Sequence, residues 1–442
     1  MKSDAIGPPS SAAPASWYCG VTRYQWLVLV VASLGWVFDA FEGQLFNITR
    51  GDVLRDLLRA SDPDLTEPAL AGAVQAWGER LLGVFLIGGT IGGWLFGSLA
   101  DKWGRKPALS LTILVYSIFS GLTAFATELW HVGLLRFLVA MGVGGEWAVG
   151  AALVAEIFPK HARERAGGIF HASGVVGVWL AAAAGLAFGA NWRAAYLIGV
   201  LPALLVLWVR ISIKEPNSWT KAKGTRSEEL GSYRSLLADP RWRQRAFAGA
   251  LLAMVGLATF WGVVVAGQNL AEHLLRQLNA PPDTIASRAK VAFGFIQTAG
   301  AAVGMFAMGP LCARLGRRRT FAAMHLAAFV FTLLVCWLPA HFESYALLLC
   351  LLPLFGFFTH GIHAGYAIYF PELFPSHLRA TGAGFCFNTG RILAAPVLIW
   401  LSASMKAALP LPLAISLLSG FFLLGVVMLA FLPETKGQDL PA

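Results

Sequence analysis

Apolar residues run in long blocks along this chain, from residue 26 to residue 432, and short polar stretches punctuate them. A bilayer core of roughly 30 Å takes about 20 helical residues to cross. By that length, spans are predicted near 25–48, 77–100, 107–126, 130–153, 166–190 and 193–213. A second set follows near 246–271, 288–313, 320–339, 344–370, 380–402 and 409–432. The pattern predicts an all-α membrane protein of twelve transmembrane helices arranged as two six-helix halves. Its plan is an N-terminal tail 1–24, a bundle 25–213, a central loop 214–245, a second bundle 246–432 and a C-terminal tail 433–442.

Composition agrees with the pattern. Of 442 residues, 57% are apolar and 13% charged, against roughly 25% charged in a soluble domain. A water-soluble enzyme and a disordered chain are both excluded. The net charge of +10 is explained by where the cations fall. Of the 34 Lys and Arg, 23 lie in the segments on the side of the N-terminus. The opposite loops hold Arg50, Arg55, Arg59, Arg193, Arg276, Arg288, Lys290 and Lys406. The basic side faces the cytoplasm, which puts both termini and the central loop inside. The excess charge is a topology signal, and no nucleic-acid partner is expected. The five cysteines stand singly, without metal-ligand spacing, and read as small packing residues. The polar stretch Met1–Ser16 is followed by an apolar run with no small-residue cleavage site, so a retained first span is expected.

Two stretches recur. Gly97–Lys106, GSLADKWGRK, returns as Gly309–Arg318, GPLCARLGRR, a shift of 212. Glu156–Gly168, EIFPKHARERAGG, returns as Glu372–Gly384, ELFPSHLRATGAG, a shift of 216. Duplicated six-span halves are a common plan of secondary transporters, whose substrate site lies between the halves near the midplane. Gly97 would let two spans approach closely, and Gly104 would permit the turn between spans two and three.

These residues carry a resemblance to the major facilitator superfamily across essentially the whole chain. GSLADKWGRKP and its copy resemble that superfamily's inner loops, PETKG (Pro433–Gly437) resembles the signature after the twelfth span, and Arg136, GVGGE, Glu156 and Arg163 resemble a pattern shared with sugar porters. The resemblance implies the major facilitator fold and alternating access. It also implies a cytoplasmic gate of Asp101, Arg105, Glu156 and Arg163, with Glu372 and Arg379 as the second copy, whose ion pairs latch the outward-facing state. The second copy has Ala313 where the first has Asp101.

Ionisable residues within spans are expensive and are functional candidates by default. At 1.5 Å per residue, Asp39 in span one lies roughly 20 Å from its inner end and Arg136 roughly 9 Å from the outer end of span four. The two are expected at similar depth and facing one another. Protonation of the acid would break such a pair, which makes it a proton switch. Proton-coupled sugar porters are similar here, and DAFE (Asp39–Glu42) resembles the acid pair of aromatic-acid/proton symporters. Glu42, at i+3, is expected to share the face of Asp39. Glu146 lies about 15 Å from Arg136 on the same helix and reads as a proton relay or a substrate contact.

Span eleven carries Asn388 and Arg391 on one face, and the duplication gives Arg391 no charged counterpart in the first half (Val175 sits there). A cation in the cavity suggests a carboxylate substrate. His360, His363 and Tyr366 form a stripe on span ten, and Gln268 and Gln297 are polar wall candidates from spans seven and eight. His171 and His325 read as packing residues. There is no Walker motif and no nucleophile–base or metal set. The function expected is secondary active transport, a small organic anion moved with protons by alternating access. No cofactor is implied, the proton gradient being the driving force. The runner-up is sugar/proton symport, then drug or metabolite efflux, and a membrane receptor that binds without flux is a rival of another class. The protein is expected to be a monomer in the lipid bilayer of a bacterial inner or other plasma membrane.

Overall fold

The computed structural model describes residues 16–188, 191–264 and 267–441. Residues 1–15 of the expected N-terminal tail, the end of the fifth predicted span at 189–190 and positions 265–266 of the seventh lie outside the described residues. Spans one to four are the helices Arg23–Ser61, Glu67–Trp103, Arg105–Thr123 and Leu129–Ile157. Span five joins Arg163–Ala172 to Gly174–Phe188 at Ser173, and span six is Trp192–Ile198 with Ala203–Ser212. In the second half, span seven runs Pro240–Thr259, a π-helical turn Phe260–Val264, then Gly267–Gln277. Span eight runs Pro282–Val291, a π-helical turn Ala292–Gln297, then Thr298–Leu315. Spans nine and ten are Arg317–His341 and Tyr345–Glu372. Span eleven is Arg379–Pro396, π-helical Val397–Ser402 and Ala403–Ala408, and span twelve is Leu411–Leu418 with Phe421–Met428. Ten helices among the described residues are long and apolar enough to cross a bilayer. The broken sixth and eleventh bring the bundle to twelve.

The duplication is visible in where helices begin. Arg105 and Arg317 each open a third helix, Leu129 and Tyr345 a fourth, Arg163 and Arg379 a fifth. Gly104 and Gly316 precede the third helices at φ +118° and +93°, a region that only glycine enters without strain. Each third helix is capped by a carboxylate from the end of its own half. Glu215 accepts the N–H groups of Arg105 and Lys106 at 2.8 and 2.9 Å. Glu434, from PETKG, accepts those of Arg317 and Arg318 at 2.9 and 3.1 Å. An acid at a helix N-terminus satisfies free donors and complements the dipole.

Spans one and two extend as helix well past their predicted outer ends at 48 and 77. Val53, Leu54, Leu57 and Leu58 recur at helical spacing and are buried with Leu70 and Trp192. The extension is amphipathic, and counting polar residues alone reads it as a loop. The central segment 214–245 likewise holds two short helices, Asn217–Thr225 and Tyr233–Ala238. It packs on the face that carries the basic loops, called the inner face below. Trp219 donates to the Asp101 carbonyl at 2.7 Å and Tyr233 to that of Trp94 at 2.7 Å.

The halves pack on one another through span two against span eleven and span five against spans eight and ten. Near the inner face the two backbones themselves come close. A methyl group at Gly97 would sit 2.8 Å from the Ala380 carbonyl oxygen, and one at Gly168 would sit 3.2 Å from the Gly309 nitrogen. Extensive packing of this kind does not join the outer ends of the described helices, so the bundle is closed inside.

Candidate functional site

The seal at the inner face is built from the repeated loops. Arg105, fully buried, binds Asp101 at 2.6 Å and holds Glu156 with two nitrogens at 2.8 and 3.2 Å. Glu156 also pairs with Arg379 of the other half at 2.6 Å. Asp101 crosses between the halves too, accepting the N–H groups of Ala380 and Thr381 at 3.2 and 2.8 Å and the Thr381 hydroxyl at 2.5 Å. It caps the helix that opens span eleven.

The second copy closes differently. Ala313 offers no carboxylate, and Arg317 pairs instead with Glu372 at 2.6 Å and with Glu164 of the first half at 2.9 Å. Two expectations are corrected here. Arg163 makes no ion pair; its guanidinium donates to the Ala155 carbonyl at 2.9 Å, and Arg379 takes its place on Glu156. Glu164 and Arg317, which the motif reading passed over, supply the second bridge between the halves. The signal was available, since Arg317 is the repeat of Arg105.

Above this seal lies a cavity of about 270 Å³ between the halves. Trp36, Asp39, Gln44 and Asn47 line it from span one, Leu82 and Phe85 from span two, Arg136 from span four and His171 from span five. The second half contributes Phe260, Trp261, His363, Phe387 and Arg391. It runs outward past Asn47 and Leu82, so the site faces the side opposite the seal.

The charges are arranged otherwise than depth alone suggested. Arg136 makes no ion pair with Asp39. Its guanidinium lies between the rings of Phe46 and Phe85, 4.3 and 4.2 Å from their centroids, a cation–π clamp. The carboxylate whose field reaches it is Glu42. Asp39 is buried and has one oxygen without a hydrogen-bond partner. Arg391 of the other half lines the same cavity, and the charges of Glu146, Arg391 and Glu42 all bear on Asp39. Glu146 is buried against Gly35, where a side chain on residue 35 would take the place of its Oε1; the Tyr116 hydroxyl is its polar neighbour, and neither oxygen makes a close hydrogen bond among the described residues. Glu42 does not share the cavity with Asp39. It is turned into the first half, where the Ser120 hydroxyl donates to it. Depth arithmetic fixes height along a helix but not direction around it, and direction decided both cases.

Among the substrate candidates, Arg391 and His363 reach the cavity. Arg391 lies 5.3 Å from the Phe387 ring centroid. His360 and His363 bracket Phe260, with centroids 4.8 and 5.5 Å apart, and His360 stands behind the wall. Tyr366 is fully buried and donates to the Leu252 carbonyl at 3.0 Å, so it packs rather than lines the site. Asn388 is also buried. Its amide donates to the carbonyls of Gly384 at 3.0 Å and of Gly144 at 3.3 Å, which ties span eleven to span four. Gln297 donates to Val264 at 3.0 Å beside the π-helical turn of span seven, and Gln268 to Glu272 at 3.1 Å. Tyr366, Asn388 and Gln297 thus tie helices together in this state, whereas the Gln268 bond stays within one helix. The aromatic wall and His171 were missed as site residues, because apolar aromatics in a span look like core until the cavity is located.

Comparison with known proteins places this architecture. The profile of the Major Facilitator Superfamily matches residues 33–397. The chain is 29% identical over 435 residues to the "Probable 4-methylmuconolactone transporter" of Cupriavidus pinatubonensis, covering 96% of this chain and 94% of that one. It is 28% identical over 388 residues to the sialic acid transporter NanX of Escherichia coli, covering 87% and 88%. Among solved structures, the proton:xylose symporter XylE superposes with a TM-score of 0.75 over 94% of this chain and 98% of that one, at 16% identity, a likeness of fold.

Proposed function

The chain belongs to the Major Facilitator Superfamily and is a multi-pass membrane transporter rather than an enzyme, and from that premise we propose that it carries a small organic carboxylate by proton symport. The observation that carries the reading is that Asp39 and Arg391, from opposite halves, both line one aromatic-walled cavity. Of the two relatives compared, one is named for sialic acid and the other for a muconolactone, and the first supports the substrate class.

The coupling follows from charge balance. In the empty carrier, Asp39 and Arg391 compensate one another. A carboxylate that binds Arg391 brings a second negative charge, and an uncompensated charge within the bilayer costs several kcal/mol. A proton taken by Asp39, or by its neighbour Glu146, restores neutrality. The loaded site then carries no more net charge than the empty one, and the halves can rock. Arg136, nearer the outer mouth, draws the anion inward. At the inner face, the bridges Glu156–Arg379, Asp101–Thr381 and Glu164–Arg317 hold the outward-facing state until the loaded carrier turns. Arg105 and Glu372 orient those groups. The proposed setting is a bacterial inner membrane, with both termini cytoplasmic and the protein working as a monomer. Sugar symport is the weaker reading, since Asn388, Gln268 and Gln297 are engaged elsewhere, which leaves Gln44 and Asn47 as amides of a largely aromatic wall.

The test is uptake into proteoliposomes of labelled carboxylates and sugars, with and without an inward proton gradient. Carboxylate uptake that rises with the gradient and collapses in Arg391→Ala is expected. Sugar uptake that survives Arg391→Ala would overturn the reading.

A further inference from the structure

One polar group in the cavity is fixed more firmly than the rest. His171 lies on span five just before the break at Ser173 and lines the cavity from the first half. Its Nδ1 accepts the indole N–H of Trp147 at 3.0 Å. An indole nitrogen can only donate, so Nδ1 carries no proton, and the one proton of the ring sits on Nε2. Trp36 stacks on the imidazole with centroids 5.1 Å apart and spends its own N–H on the His171 carbonyl at 2.8 Å. Two tryptophans therefore hold the ring in place and fix its tautomer. Nε2–H is left as a donor without a partner among the described residues.

The same Trp147 ring lies face to face with Phe387 of span eleven, centroids 4.2 Å apart. Phe387 is one helical turn from Arg391. Phe387, backed by the buried Trp147, lines the cavity with a neutral donor, His171, and a guanidinium, Arg391. We propose that His171 is a specificity-determining residue of the transport site. It donates Nε2–H to an uncharged acceptor on a substrate whose carboxylate is held by Arg391. The substrate class is then a planar carboxylate that also bears a ring nitrogen, a carbonyl or a lactone oxygen, lying against Trp36, Phe260 and Phe387. Trp147 is a positioning residue that acts through the tautomer. The inference rests on the carboxylate reading above and narrows it.

A site built to donate a hydrogen bond leaves its donor unpaired when the acceptor is missing, and discriminates accordingly. The probes are benzoate and its three pyridine analogues with the carboxylate at ring positions 2, 3 and 4, which exchange a C–H for an acceptor nitrogen at nearly constant size. Binding to the purified full-length protein is measured by competition. At least one pyridinecarboxylate is expected to bind about tenfold tighter than benzoate, the size of one neutral hydrogen bond. The ratio of pyridinecarboxylate to benzoate affinity should fall to one in His171→Phe, and the preference should persist in part in His171→Gln, which retains an N–H. Trp147→Phe should lower the same ratio toward one, because it frees the tautomer of His171. Carboxylates that bind with no acceptor preference, or a preference that survives His171→Phe, would overturn this inference alone. Failure of all four probes to bind, with Arg391→Ala silent, would overturn the carboxylate reading and this inference with it.

Discussion

Asp101, at the inner end of span two, accepts the backbone N–H of Thr381 at 2.8 Å and its hydroxyl at 2.5 Å, so an acid of one half caps a helix of the other. The same carboxylate is held by Arg105 at 2.6 Å. Four charged side chains (Asp101, Arg105, Glu156 and Arg379) are thereby buried with every charge partnered. Buried networks of this kind act as latches, because removing one partner leaves another charge without compensation.

Asp101→Asn is the sharpest probe of that latch. Asparagine keeps the shape but turns an amide toward donors that need an acceptor. The inner side should open more often by about tenfold, the equivalent of roughly 1.4 kcal/mol. Spin labels at the exposed positions 102 and 318 would report a longer second distance. An unchanged distance distribution would mean that the apolar packing of spans two and eleven holds the seal unaided.

Much of this was readable from the chain. The spans and the duplication follow from block length and repeated words, whereas the Asp101–Arg105–Glu156 group and the importance of PETKG come from the family resemblance those words carry. Two features escaped for physical reasons. Which way a side chain points around its helix is set by neighbours, so Glu42 and Asp39, three residues apart, ended in different surroundings. Repeats also conceal asymmetry. The copy of Asp101 is Ala313, and the second bridge instead joins Arg317, the repeat of Arg105, to Glu164, whose own repeat position is Ala380. The helical extension of spans one and two was hidden because its buried leucines alternate with charges.

That asymmetry can be undone. By the repeat, Ala313 faces the start of span five as Asp101 faces the start of span eleven. Gly309, the repeat of Gly97, lies 2.9 Å from the Arg165 Cα when given a methyl group. Ala313→Asp should find the free N–H groups of that helix and Arg317 one turn away. Melting temperature should rise by a few degrees, since 1 kcal/mol is worth about 2–4 °C in a chain larger than 150 residues. Turnover should fall severalfold as the outward-facing state gains stability. A lower melting temperature would show that the pseudo-symmetry of the two seals stops at the backbone.

Glu434 gives the inner face a pH dependence. The N–H groups of Arg317, Lys436 and Arg318 hold its carboxyl below the usual carboxylate range, against the opposing effect of burial. A carboxyl depressed on folding contributes stability above its unfolded value of about 4.3 and loses it as the pH falls through the folded value. Wild type should therefore lose melting temperature between about pH 5 and pH 3 more steeply than Glu434→Gln, with the two curves converging in acid. Parallel curves would place the acid sensitivity elsewhere.

The two acids of span one separate proton coupling from packing. Asp39 lines the cavity and feels Arg391, whereas Glu42 is buried toward Ser120 and outside the cavity. If the proton is taken where the substrate charge must be balanced, only the first acid is required for coupling. Asp39→Asn should abolish gradient-driven accumulation of a labelled carboxylate in proteoliposomes and spare exchange of external for internal label, because a permanently neutral side chain mimics the protonated carrier. Glu42→Gln can keep a hydrogen bond to Ser120 and should retain gradient-driven uptake within about threefold of wild type, the scale of one modest hydrogen bond. Glu146→Gln should fall between them, since it removes the neighbour of Asp39 without removing the partner of Arg391. Loss of coupling in Glu42→Gln with coupling intact in Asp39→Asn would move the proton path into the first half, away from the anion, and would leave Arg391 to bind substrate without a part in the coupling.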